Sequence, residues 1–360
     1  MFNCHAHLKA FHDDCITLTD DMKEGMRARR RANQERLARG LEENGDPMPL
    51  RHVKQGSYAM HTMVQSEYDA SDIDDGVVFS KEDLVGPKGG EYSPLDAKRM
   101  VCDALDDGSF KTPPEVHTNC VRVLYNDGFT IDIPVYREVN DASGAYYELA
   151  STSWKRADPE GVTAWFNDAV IAKSPDTTNG RQMRRLVKYL KFHAKSRKSW
   201  NMPSGFILSK LIDEKYFKDP SLLNRDDMAL LQVMEAVSQR LSWSGLVVQH
   251  PVVQGETITE SDNDADMVEL RGRVAEAVKT LAVLRKSDCS ELDALKALRD
   301  LFNTDYFDDV IAEFSSPQKS EASSGVAAAL VMGAVAVALS AARRAPSEPV
   351  IKRGGEGRYA

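Results

Sequence analysis

The chain has 360 residues, of which 42% are hydrophobic and 28% charged, an ordinary globular composition with material for two lobes and a sizeable core. Its formal charge of −9 excludes a surface that grips duplex nucleic acid along its whole extent, while leaving room for a local basic cleft that holds a few phosphates. The five cysteines, at 4, 15, 102, 120 and 289, are odd in number and form no C-x-x-C pair, and the first residues lack the apolar run of a secretory signal, so a cytoplasmic setting is expected.

Cys4, His7, His12 and Cys15 are residue types of a zinc site, but the loop between the two pairs is short for a zinc module, and the segment reads as a mixed helical start. Thr19-Asp20-Asp21 predicts an N-cap with an acidic first turn. Met22 to Leu41 then reads as a long helix, with Arg27, Arg29, Arg30, Arg31, Arg36 and Arg39 on a solvated face. A strand at Val53 leads into Gly56-Ser57, a short helical turn over Tyr58–Val64, a polar loop and a second strand from Asp72 to Phe79. Asp96 to Leu105 reads as a helix. Val121–Tyr125 and Phe129–Tyr136 form a hairpin around Asn126-Asp127-Gly128, and Pro134 is expected at an edge or at the end of pairing.

From Pro159 the pattern is helical. One long helix is capped by Thr178-Asn179 and runs to about Lys198, Pro203-Ser204-Gly205 breaks it, and Phe206–Tyr216, Arg225–Leu241, Asp266–Lys286 and Ser290–Leu301 follow. The expected architecture is α+β: a helical segment over 1–50, an α/β lobe over 51–158, a helical lobe over 159–315 and a flexible tail over 316–360. In that tail Gly325–Ala342 is an Ala/Val run that falls short of the ~20 residues needed to span a bilayer, and it is read as a helix without a membrane role.

The chemistry concentrates in three places. Asp72 and Asp74 stand at i and i+2 of a strand and so share a face, while Ile73 points into the core. Asp132, in Thr130-Ile131-Asp132-Ile133-Pro134, is a lone acid alternating with two isoleucines, which turn chemistry does not explain. If its strand lies beside the first, three carboxylates converge, a donor set suited to two Mg2+ ions. Gly56 lets backbone approach phosphate oxygens, and Ser57 offers a hydroxyl and an amide.

Gln55-Gly56-Ser57-Tyr58, Asp72-Ile73-Asp74-Asp75-Gly76 and Ile131-Asp132-Ile133-Pro134 resemble the bacterial cGAS/DncV-like nucleotidyltransferases, over most of residues 15–315 and with Trp165-Phe166-Asn167-Asp168 similar to the DncV branch. The resemblance implies a polymerase-β-like lobe with a twisted mixed sheet, packed on a helical C-terminal lobe. It implies Asp72, Asp74 and Asp132 as catalytic metal ligands. Gln55, Gly56, Ser57, Arg185, Lys188 and Ser204 would contact nucleotide, with Lys188 foremost on the donor triphosphate and Lys191 in reserve. The implied activity joins ATP and GTP into a cyclic di- or trinucleotide, such as a 3′,3′-cGAMP-like product, that reaches a downstream effector in antiphage (CBASS) defence. A linear nucleotidyltransferase and an inactive scaffold are the other readings. The tail Gly354 to Ala360 resembles those joined at their C-terminal carboxylate, here that of Ala360, to lysines by an E1/E2-like partner.

Overall fold

The computed structural model describes residues 1–65, 72–86, 88–142 and 144–315. Helix α1 (His5–Phe11) runs into one π-helical turn, His12–Ile16, and α2 (Asp20–Asn44) follows. Thr19 starts α2 by accepting a 3.2 Å bond from the Met22 amide, and Gly45 ends it in the left-handed region at φ 72°. The two helices enter different cores. Leu8, Phe11 and Ile16 are buried with Leu186, Tyr189 and Phe302 of the helical lobe. Met26, Leu37 and Leu41 instead cover Ile73, Val101 and Leu105 beside the sheet. Residues 1–50 are thus divided between the lobes and form no unit of their own.

An eight-stranded sheet is built from β1 (Arg51–Gln55), β2 (Asp72–Ser80), β3 (Glu115–Val116), β4 (Val121–Leu124), β5 (Thr130–Ile133), β6 (Val135–Asp141), β7 (Gly144–Ala150) and β8 (Trp154–Ala157). Its centre is β2, antiparallel to β1 on one side and parallel to β5 and then β6 on the other. Pro134, expected at an edge or at the end of pairing, lies inside the sheet between β5 and β6, where the pairing of β5 with β4 ends. Its carbonyl accepts from the Val77 amide at 2.9 Å. The missing N–H costs nothing there, because β4 pairs only as far as Ile133 and β7 only from Tyr136 onward. The sheet turns Ile73, Val77, Ile131, Ile133 and Val135 toward α2 and α4 (Pro94–Leu105), and Val78 and Tyr136 the other way.

Of the α2 arginines, Arg27, Arg31 and Arg39 are exposed as expected, while Arg29, Arg30 and Arg36 are half-buried and engaged with the sheet lobe. Arg30 Nε donates to Asp75 Oδ1 at 2.7 Å, Gln34 donates to the other oxygen at 2.8 Å, and Arg36 reaches Asp107 at 2.8 Å. Asp75 is buried, so the pair clamps the helix to the central strand.

Beyond the sheet come α5 (Pro159–Lys173), α6 (Gln182–Lys195), α7 (Gly205–Lys215), α8 (Asp226–Trp243), α9 (Ala265–Leu281), α10 (Glu291–Phe302) and α11 (Asp308–Ser315), with α3 (Gly56–Ala59) between β1 and β2. Asp158 caps α5 on the Gly161 amide at 2.8 Å, and Ser290 with Asp293 makes a capping box on α10. Helix α6 starts three residues later than Thr178-Asn179 suggests. Asn179, Gly180 and Arg181 have φ of 47°, 77° and 71°, which no helix accommodates, and the Asp176 carboxylate caps the Gln182 amide at 2.6 Å instead. Among the described residues no helix is long and apolar enough to cross a membrane; Gly325–Ala342 and Ala360 lie outside them.

Candidate active site

The acids meet where the strand reading placed them. Asp74 of β2 is the register neighbour of Asp132 in the parallel β2–β5 pair, and Asp72, two residues before it, pairs with Thr130. Gln55 stands opposite Asp74 on the other side, and Arg122 of β4 stands opposite Asp132. One row across four strands therefore reads Arg122, Asp132, Asp74, Gln55. Asp72 is exposed, Asp74 half-buried and Asp132 only 1% exposed, so the acids run from the surface inward.

Burial first, then the charges of Asp72 and Asp132, push the Asp74 carboxyl well above the usual carboxylate range, while Lys191 and Arg122 pull it back. A cluster this short of positive charge calls for cations, and its all-oxygen donor set suits a hard divalent ion. Among the described residues no group of three acids, histidines or cysteines is arranged to hold a metal ion. Arg122 donates to both Asp132 oxygens, Nε to Oδ1 at 2.6 Å and a terminal nitrogen to Oδ2 at 2.7 Å. The acids fit the ion in kind, and they must be released to take it.

Above the acids lies the β1–α3 turn. Gly56 has φ 62°, and a Cβ built there would sit 1.9 Å from Asp74 Oδ2. Glycine is required twice over, for the backbone angle and for the close passage. Ser57 follows, half-buried, at the start of α3. Gln55 flanks Asp74 on the same sheet face: its side chain is buried, Oε1 accepts from the Tyr136 hydroxyl at 2.8 Å, and Nε2 has no hydrogen-bond partner.

Helix α6 supplies the positive charge, though not from every residue the sequence offers. Met183, Leu186, Val187 and Leu190 are buried as expected. Arg185 is buried as well. Its guanidinium grips Asp226 through 2.6 and 2.8 Å bonds and Asp176 at 2.7 Å, so it is a structural residue of the helical lobe and not a triphosphate ligand. Lys188 is half-buried and donates to Thr17 Oγ1 at 3.3 Å. Burial, then Lys23 and Arg184, pull its ammonium down to about 8. Lys191 goes further, to about 7, through complete burial and then Lys195, against the raising pull of Asp72 and Asp74. Its Nζ donates to the Thr62 carbonyl at 3.0 Å.

Ser204 caps α7 by accepting from the Ile207 amide at 3.4 Å. Next to it a Cβ on Gly205 would lie 2.4 Å from Lys191 Cε, so glycine at 205 is what lets the buried lysine pass. The early cysteines and histidines do not gather. The Cys4 thiol faces Asp227, His7 binds Glu291 at 2.8 Å and His12 binds Asp13 at 2.8 Å.

Comparison with known proteins agrees with this geometry. Residues 50–136, which contain Gly56, Ser57 and all three acids, match the family model described as cyclic GMP-AMP synthase DncV-like, nucleotidyltransferase domain. The fold resembles Vibrio cholerae DncV cyclic AMP-GMP synthase in complex with nonhydrolyzable GTP, with a TM-score of 0.67 and 15% identity over 84% of this chain and 96% of that one. The same enzyme in complex with the linear intermediate 5′ pppA(3′,5′)pG gives 0.65 and 14% over the same shares. A 3′-deoxy GTP bound form of Escherichia coli DncV gives 0.62 and 13% over 82% and 94%. Beyond the matched stretch, then, the chain shares the fold of these DncV structures along most of its length, and the segment that holds the acids is the one that matches the DncV-like nucleotidyltransferase model.

Proposed function

We propose that the protein is a cyclic nucleotide synthase that takes two nucleoside triphosphates, ATP and GTP by analogy with the complexes of its structural relatives, and releases pyrophosphate. The observation that carries the reading is the pairing of Asp74 with Asp132 on one sheet face under the Gly56–Ser57 turn. Asp72, Asp74 and Asp132 would hold two Mg2+ ions, which when bound favour ionisation of an attacking ribose hydroxyl and neutralise charge on the leaving pyrophosphate. Gly56 and Ser57 bring backbone and hydroxyl to the phosphates without a side chain in the way. Lys188 and Lys191 supply positive charge from a low-dielectric wall, where it acts more strongly than in water. Ser204, at the start of α7 beside Lys191, completes that wall. The product, a 3′,3′-cGAMP-like ring or a related cyclic oligonucleotide, would act on an effector in a cytoplasmic antiphage response.

The test is incubation with all four triphosphates and Mg2+, followed by phosphatase treatment and chromatography. A phosphatase-resistant product that vanishes in the Asp72→Asn/Asp74→Asn double variant supports the reading. A phosphatase-sensitive product identifies a linear nucleotidyltransferase, and no turnover by the native chain sinks both.

A further inference from the structure

The two cations nearest the acids differ in freedom. Lys191 is buried, walled in by Gly205 and tied to Thr62. Arg122 stands on β4, which has only the two-residue β3 outside it, and its side chain is 27% exposed. Its two-pronged grip takes both oxygens of Asp132, a residue with 1% exposure and so with little oxygen surface left to offer a cation.

We propose that Arg122 is a built-in competitor of the divalent cation: it holds Asp132 in register while no metal is bound, and it must surrender at least one Asp132 oxygen before an ion can settle there. The inference rests on the proposed metal site and adds a positioning residue that acts through Asp132. Physically, three crowded carboxylates without ions need a counter-charge or they repel one another apart. A guanidinium on a neighbouring strand supplies it in the plane of the carboxylate, and its solvent-exposed flank leaves it a direction in which to withdraw. The cost is that each incoming ion meets a positive charge already in place. Loading then requires more metal than the three acids alone would need.

The test measures Mn2+ binding by electron paramagnetic resonance on the full chain without nucleotide, at mildly alkaline pH, so that the readout is independent of turnover. Arg122→Met should bind Mn2+ about tenfold more tightly than the native chain, because a charge-assisted contact no longer competes. Arg122→Lys, which keeps the charge and loses the fork, should fall between, and it serves if the methionine variant fails to fold. Unchanged or weaker binding in the folded variants overturns the inference while leaving the metal site standing. Binding that survives Asp74→Asn in the Arg122→Met background places the ions elsewhere and also overturns it. No Mn2+ binding by any form removes the metal site itself, and the inference with it.

Discussion

The Cβ that Gly56 lacks would lie 1.9 Å from Oδ2 of Asp74, so the β1–α3 turn and the central acid pass closer than a side chain at 56 would let them. Gly56→Ala should therefore affect both fold and chemistry. The positive φ alone costs about 1–2 kcal/mol, and the displaced Asp74 carboxylate should lower pyrophosphate release by about 10²-fold or more. Thermal unfolding beside a pyrophosphate assay checks this. Native activity in Gly56→Ala would mean that the turn does not touch the reaction.

Asp74 carries a charge that the folded chain resists, since burial and two neighbouring acids raise its carboxyl. Asp74→Asn should leave thermal stability equal or higher while turnover falls about 10²–10³-fold, the scale of a lost preorganised electrostatic contact. A melting temperature that falls together with activity would make Asp74 a structural residue.

Two basic residues of one helix should separate cleanly. Arg185→Met leaves Asp226 and Asp176 buried without their partner and should cost about 3–5 kcal/mol of stability. Lys188→Met removes a partly desolvated cation, so it should barely change unfolding yet raise the apparent KM for triphosphate about tenfold. Denaturant melts and steady-state kinetics on both variants decide the matter, and a reversed pattern would put Arg185 on the nucleotide.

Lys191 makes a statement about pH. Its ammonium titrates at about 7 in the folded chain against an ordinary 10.5. Between those values the unfolded chain binds more protons than the folded one, so stability from this group rises with pH across that window. Below it the charged lysine is buried at a cost. Melting temperature followed across this range should show a rise that Lys191→Met lacks. Parallel profiles for the two proteins would contradict the burial that the structure gives this side chain.

Several of these residues were legible before any coordinates. Asp72, Asp74 and Asp132 stood out because an acid alternating with apolar residues on a strand has no local explanation. The register that joins Asp74 to Asp132 needed the fold, since parallel pairing leaves no turn to count from. Arg122 was within reach: once the Asn126-Asp127-Gly128 turn is accepted, counting outward from it sets Arg122 against Asp132. Arg185 was not, because Asp226, which claims it, is 41 residues away in sequence and helical spacing alone ranks it with Lys188. Asp75 likewise read as one more acid in a run until Arg30 of a distant helix was found on it. Strands β7 and β8 went unread, as alternation there is weak and their half-buried residues carry no strong pattern.

The division of the first residues between two cores bears on any attempt to cut the molecule down. Between Ile16 and Leu18 the backbone passes from one apolar interior to the other, Met60 and Val64 rejoin the first on either side of Met63 in the second, Ile73 is again in the second, and after Ala157 of a small third cluster Val162 lies in the first. Such interlacing ties the two lobes together through several chain passages. It also means that residues 50–136, excised, would be a sheet stripped of the helix that bears Met26, Leu37 and Leu41, with an oily flank turned to water and an aggregate as its natural fate.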